Sequence, residues 1–416
     1  MSIGLSLLVA RLAVAQPPAP VCDVAAARGI RAGDDGWIFV QPELNSASVP
    51  APEISSGLGA LATALAAAPT KIIVVVLPSR ALATPASRAI PDFDFVRAEA
   101  SHRALAEFFR SRGLQVIDAL DVSREMVAPD LFFRMRDIHV SHAGAKRLSE
   151  LVAASVRERP DAASFPRVEF VSTPKGRMPL PNEAASVLVN GYCGTTLPVP
   201  EVTARWTTER VTPLGLLDDE AAPSVMWWGT SNAAALSNLQ GFLETSLQTP
   251  VLTLSTKGGG VLGSLYTAVR ERSWPSSTPL LVFWEVSTTE YWRTVDGAPD
   301  PQDPAIYNEI VPAAWGSCTD AQAIAIGDWK SPGELLTWKA LATPSYLFIE
   351  AEHAELSGVT IDVNGAKHRY EDYARTLTTG RYFWSLPTSP GPMRLVGSWT
   401  SARPNRVRVR VCPAPM

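Results

Sequence analysis

The sequence predicts an α/β protein whose parallel sheet is flanked by helices, followed by an antiparallel β-sandwich. Three observations predict it. Residues 72–77 read IIVVVL, the continuous β-branched run a strand needs when both its faces are buried. Helical and strand patterns then alternate to about residue 284, as crossovers between parallel strands require. After about residue 335 the period becomes two, and no convincing helical pattern interrupts it.

In chain order, a helical pattern follows the first strand from Phe95 to Arg112, and Gly113 ends it. Leu114 to Asp118 reads as a second strand. Ser141 is a good N-cap for a helix reaching Arg159, with Leu148, Leu151 and Val152 as its apolar stripe and Pro160 at its end. Residues 160–220 are rich in Pro, Thr and Gly and read as an irregular insertion with short strands; Asp218-Asp219-Glu220 is taken as a solvated acidic run. Strands are expected at 224–228, 251–254 and 280–284, with helices at 232–247 and 261–272 between them. The Pro-rich stretch 298–304 reads as a loop. Beyond it lie alternating segments near 346–350, 357–363, 367–373, 380–385, 393–399 and 405–411, with Asn364-Gly365 as a strong hairpin cue. The boundary falls between Cys318 and Leu335, giving an α/β unit at 16–325 and a sandwich at 335–416.

A chain of 416 residues is too long for one ordinary core, so two domains are expected. Hydrophobic residues at 46% and charged residues at 19% are the balance of a folded protein. With a net charge of -4 and no basic cluster interleaved with aromatics, nucleic-acid binding is set aside. The N-terminus has an apolar stretch followed by Ala13-Val14-Ala15, a cleavage pattern that makes residues 1–15 a signal peptide and the protein an exported one. No basic residue precedes that stretch and Arg11 interrupts it, so an ordinary N-terminal helix is the alternative. No later segment approaches the roughly 20 apolar residues of a membrane span. The four cysteines, Cys22, Cys193, Cys318 and Cys412, include no Cys-x-x-Cys pair, which argues against a zinc site. An even number suggests two disulfides with three possible pairings, four buried free thiols being the alternative. Cys22–Cys193 with Cys318–Cys412 is favoured and closes one long loop in each half of the chain.

Two short motifs carry chemistry. In Trp228-Gly229-Thr230-Ser231-Asn232 an apolar strand ends and a helix is expected at once. That places Ser231 at the C-terminal edge of a parallel sheet, where open α/β folds put their ligands. Backbone N–H groups there favour a developing oxyanion, although a serine in that position is also the ordinary helix cap. The second motif is Asp137-Ile138-His139, just before the Ser141 cap. A serine hydroxyl needs a neutral imidazole to take its proton, and the imidazole needs a carboxylate to fix its tautomer. This segment supplies both; a surface histidine beside a capping aspartate is the plainer reading, and His142 is a second candidate imidazole.

Together the motifs resemble the periplasmic alginate O-acetyltransferase group, relatives of the SGNH hydrolases. In that group an Asp-x-His motif, usually followed by Trp, precedes a Gly-x-Ser motif. Here they stand as Asp137-Ile138-His139 and Gly229-Thr230-Ser231, with Val140 in place of the Trp. Gly33 to Phe39, Val74 to Arg80 and Leu281 to Glu285 are similar to three further family motifs and fall in the same order. The C-terminal sandwich and the cysteines resemble the two-domain member, which carries a carbohydrate-binding module and one disulfide in each half.

The resemblance implies an SGNH-like fold and an acyl-serine mechanism without a cofactor or metal. Asp137 orients His139, His139 deprotonates Ser231, and the acetyl group passes to a polysaccharide hydroxyl. It also implies a membrane-bound partner as acetyl donor and a periplasmic location. The backbone N–H of Ser231 should help form the oxyanion hole, with Asn232 as a possible side-chain contributor unless it faces solvent. Trp284 and Glu285 end a strand at the same edge and either line the acceptor groove or belong to the core. Arg80 either holds an anionic sugar or makes a surface ion pair. Tyr373, Tyr382, Trp384 and Trp399 are candidates for stacking on sugar rings, though alternation turns most of them toward the core. An esterase with the same triad and a non-catalytic polysaccharide-binding scaffold are the competing readings.

Overall fold

The computed structural model describes residues 21–45, 52–128, 130–179, 183–197, 202–212, 223–233, 237–256, 258–271, 274, 281–289, 297–329, 335–339, 343–351, 357–370, 373, 380–388, 392–400 and 406–415. The expected signal peptide at 1–15 and the acidic run at 218–220 lie outside them.

A five-stranded parallel sheet forms the centre of the first unit. Its strand order is Gln115–Asp118, Lys71–Leu77, Leu281–Ser287, Val225–Gly229, Val251–Ser255. Every residue of Leu281–Ser287 is buried, as a central strand covered on both faces must be. Alternate residues divide between two cores. Val74, Val76, Trp228 and Trp284 pack with the helices Pro52–Ala67, Gly260–Arg270 and Pro304–Trp315. Ile73, Val75, Trp227 and Phe283 face the other side, with the helices His142–Arg157 and Leu239–Leu247.

The structure departs from the sequence reading in several elements. Pro52–Ala67 is a helix that was not expected. So is Pro304–Trp315, which opens where the Pro-rich loop was expected to end: the Asp303 carboxylate accepts from Ala305 N at 2.9 Å, and Pro304 sits in the first turn, where its missing N–H costs nothing. The insertion is more regular than its composition suggests. Phe170–Pro179 and Val202–Arg210 form an antiparallel pair, and the helix Ala184–Cys193 lies between them in sequence. The helix expected at 232–247 begins only at Leu239, after Asn238 in a left-handed conformation.

The C-terminal sandwich packs two four-stranded antiparallel sheets around Leu347, Ile349, Ile361, Leu395, Val407, Val409 and Val411. It starts before residue 335, because Ala325–Trp329 pairs along Val407–Pro413. Asn364 and Gly365 both have positive φ, the requirement of the two-residue turn expected there. The outer face of one sheet is not solvated. Tyr346, Phe348 and Phe383 join the core of the α/β unit. Arg270 Nε donates to the Arg381 carbonyl at 2.8 Å and Arg381 Nη1 donates back to the Arg270 carbonyl at 3.0 Å. Buried Glu309 accepts from the Tyr266 hydroxyl at 2.5 Å and lies 2.9 Å from Nε2 of His368 in the sandwich. The disulfide Cys318–Cys412 stitches the same junction, and Cys22–Cys193 closes the other long loop. No helix among the described residues is long and apolar enough to cross a membrane.

Candidate active site

Ser231 leaves the C-terminal end of Val225–Gly229. Gly229 is required there, since a Cβ would lie 2.6 Å from both the Ala233 Cβ and the Trp227 Nε1. The serine opens not the expected helix but the single 3-10 turn Ser231–Ala233, closed by Ala233 N on the Thr230 carbonyl at 3.1 Å.

The Asp-x-His segment is not at the end of a sheet strand. It is the tip of a tight hairpin between two helices, held by Arg134 N on the His139 carbonyl at 3.2 Å and Ser141 N on the Phe132 carbonyl at 2.9 Å. Ser141 caps the following helix as expected, accepting from Gly144 N at 2.9 Å. Gly144 lets the helix press on the hairpin, because a Cβ there would fall 2.0 Å from the Phe132 carbonyl oxygen.

The two segments meet. His139 Nε2 lies 2.9 Å from Ser231 Oγ, and His139 Nδ1 hydrogen-bonds Asp137 Oδ1. With Nδ1 donating to the carboxylate, Nε2 is the acceptor for the serine proton. The same carboxylate oxygen accepts from His139 N at 3.0 Å, and Oδ2 accepts from Ala184 N, at the start of the Ala184–Cys193 helix, also at 3.0 Å. Asp137 is buried while the His139 side chain keeps 24% of its surface, so the acid is sealed and the base stays accessible. Burial raises the Asp137 pKa, but the His139 hydrogen bond and charge, with the two backbone donors, outweigh it and hold the carboxyl well below the usual range. His142 opens the next helix, buried; burial and the Arg134 charge push its pKa down to about 4. Of the two imidazoles it is His139 that meets Ser231.

The other expected residues sit differently. Glu285 is fully buried beneath the serine turn. It accepts from Thr230 Oγ1 at 2.5 Å, Trp227 Nε1 at 3.0 Å and Asn232 Nδ2 at 3.2 Å. Burial pushes its pKa up, against these hydrogen bonds. Asn232 is half-buried, and its Oδ1 accepts from Val140 N at 3.0 Å. Trp284 does not line a groove: it lies in the core and its Nε1 donates to the Val261 carbonyl at 3.0 Å. Arg80 is neither a surface ion pair nor a free charge for a sugar. Buried, it pairs with Glu43 and donates to the carbonyls of Ile38 and Arg134 at 2.6 Å each. Val140 has its side chain in the core under the hairpin.

Among the sandwich aromatics, Tyr382 is core and Tyr373 packs edge-on against Tyr266 at 5.4 Å. Trp384 stacks on His368, and Trp399 packs against the sandwich core. Sequence reading missed Glu43 and the Ala184 N–H, which only the fold brings in from distant segments, and gave Thr230, beside Ser231, no role of its own. A cavity of about 40 Å³ adjoins the site, lined in part by Leu77, Pro78, Ile138, Asn232, Ser287 and Thr289.

A sequence model described as the SGNH hydrolase-like domain of acetyltransferase AlgX matches residues 30–288. The chain is 29% identical over 265 residues to the alginate biosynthesis protein AlgX of Pseudomonas fluorescens, covering 60% of this chain and 54% of that protein. It is 24% identical over 277 residues to the probable alginate O-acetylase AlgJ of Pseudomonas aeruginosa, covering 62% and 69%. The match to the first of these relatives thus spans about half of the relative's length. In fold it is similar to solved AlgX of Pseudomonas aeruginosa, with a TM-score of 0.73 at 20% identity over 95% of this chain and 97% of that one. It is also similar to the O-acetyltransferase domain of Pseudomonas putida AlgJ, with a TM-score of 0.52 at 18% identity over 67% and 98%. With the model matching more than half of its residues, the chain belongs to the family of the SGNH hydrolase-like domain of acetyltransferase AlgX.

Proposed function

We propose that this protein is an exported O-acetyltransferase that moves an acetyl group through Ser231 onto hydroxyls of an acidic exopolysaccharide, alginate or a similar polymer. The observation that carries this reading is the hydrogen-bonded series Asp137–His139–Ser231 at the C-terminal edge of the parallel sheet. In the first half-reaction Ser231 Oγ attacks the donor's acetyl carbonyl and its proton passes to His139 Nε2. The tetrahedral intermediate collapses, the leaving group takes that proton, and acetyl-serine remains. In the second, His139 accepts the proton of a sugar hydroxyl as it attacks the acetyl carbon. The ester forms on the sugar and the proton returns to Ser231. The N–H of Ser231 is the first candidate donor to the oxyanion in both steps.

The relatives named for alginate biosynthesis and alginate O-acetylation support the polymer class. Two disulfides support export, and we place the protein in the periplasm, where a membrane-bound partner would supply the acetyl group. The test is incubation with a chromogenic acetyl ester, with and without polymannuronate oligomers. The expected product is acetylated oligomer, absent with Ser231→Ala. Free acetate alone, at a rate indifferent to the oligomer, would identify an esterase. Turnover retained by Ser231→Ala would end the assignment.

A further inference from the structure

Glu285 has no part in the proton transfers just described, yet it is a fully buried carboxylate directly under the nucleophile turn. Its three donors come from one short stretch of chain. Trp227 Nε1 reaches Oε2, while Thr230 Oγ1 and Asn232 Nδ2 share Oε1. Thr230 Oγ1 in turn accepts from Asn232 Nδ2 at 3.1 Å and from Asn232 N at 3.2 Å. The amide of Asn232 therefore has a fixed sense. Turning it over would set its oxygen against a carboxylate and its NH₂ against the Val140 N–H, two unfavourable contacts, one of them with a fully buried group.

The fixed sense matters because of what lies at the other end. Asn232 Oδ1 accepts from Val140 N at 3.0 Å. Residue 232 is next in the chain after the nucleophile, and residue 140 is next after the base. The Asn232–Val140 hydrogen bond thus runs beside the His139–Ser231 hydrogen bond, one residue away on each segment. These segments lie 92 positions apart in sequence, and the hairpin carrying His139 is not a strand of the sheet. Its distance to Ser231 is set by such side contacts.

We infer that Glu285 is a positioning residue for the acyl transfer: through Thr230 and Asn232 it locks the cross-link that holds the His139 hairpin at hydrogen-bonding distance from Ser231. This rests on the acetyltransferase reading of Ser231. It implies that the loss on breaking the link falls on kcat rather than KM, because the misplaced groups are the reacting ones.

The test uses the full-length protein with Glu285→Gln, Asn232→Ala and the double variant. Hydrolysis of p-nitrophenyl acetate, labelling of Ser231 by a fluorophosphonate probe and thermal unfolding are measured for each. Whichever way the introduced amide turns, Glu285→Gln sets a donor against a donor. Each single variant is expected to lose about tenfold to a hundredfold in kcat with KM within twofold and with matching slower labelling. The double variant should be no slower than the slower single, because both act through one link. Multiplying losses, a change in KM alone, or kcat within twofold of wild type in a folded single variant would overturn the inference. Should Glu285→Gln fail to fold, Asn232→Ala alone decides by the same kcat and labelling criteria. A wild-type protein that neither hydrolyses the ester nor labels at Ser231 overturns the acetyltransferase reading and this inference with it. A reactive wild type with unaffected variants overturns this inference only.

Discussion

At the scale of single residues, the sequence singled out Ser231, His139 and Asp137, which the structure joins in one hydrogen-bonded series, because each lay in a short motif with a type-specific chemistry. It left Trp284 open between groove and core and Arg80 open between a sugar contact and an ion pair, since a residue at the end of a strand can turn toward the cleft or the core, and only packing decides. Trp284 turned inward, and Arg80 was drawn under the surface by Glu43, a partner 37 positions away. Two predictions belong here. Asp137→Asn keeps the shape of the site but offers an amide to His139 Nδ1, favouring the wrong tautomer; kcat on an acetyl ester should fall by about 10⁴-fold with little change in melting temperature. His142 has a depressed pKa, so the charged form disfavours the fold. Its contribution to stability is present above the ordinary pKa of 6.5 and is lost as pH falls toward about 4. Denaturant unfolding across that window should decline by up to about 1.4 kcal/mol per pH unit from this group. His142→Gln should flatten the profile, and an unchanged slope would rule the origin out.

At the scale of elements, strands were the most legible. The run at 72–77 and the alternation after 335 register directly in the pattern of side chains, and those strands appear within a few residues of expectation. The Ala325–Trp329 strand escaped because Gly327 and Asp328 dilute its apolar alternation. The helix Ala184–Cys193 escaped because Pro- and Thr-rich flanks masked it, and it proves to be part of the site. Its first turn holds the hairpin twice, with Ala184 N on the Asp137 carboxylate and Ala185 N on the Arg136 carbonyl, each at 3.0 Å. Ala184 is the first helical residue and Glu183 before it is extended, a setting that tolerates proline. Ala184→Pro removes the one N–H and sets a ring carbon against the carboxylate. Activity should drop by roughly tenfold or more, the worth of a hydrogen bond to a charged group, while the far-ultraviolet spectrum and melting point stay near wild type. Wild-type kcat would show that Asp137 needs no such support.

At the scale of the whole molecule, the two expected units are fused rather than tethered. Tyr346, Phe348 and Phe383 leave the sandwich to join the core beside the parallel sheet, and buried Arg270, Arg381 and Glu309 complete the seam. Alternation in the sequence marks which strand residues are apolar on both faces but not what covers the second face, so this docking was not legible. Calorimetry should therefore show one cooperative transition for the full chain; two separated peaks would show independent units. Cys318→Ser with Cys412→Ser should lower that single transition, since the bond closes a long loop worth up to roughly 4.7 kcal/mol by chain entropy. The other disulfide has a different reach. Cys193 ends the helix whose first N–H grips Asp137, and its partner Cys22 belongs to a separate segment at the start of the described chain. With both thiols reduced, the helix would still pack on Ile30 and Ile38 but would lose its covalent tie to the Cys22 segment. Cys22→Ser with Cys193→Ser should therefore slow ester turnover as well as lower the melting temperature, and unchanged turnover would show that packing alone holds the support of Asp137.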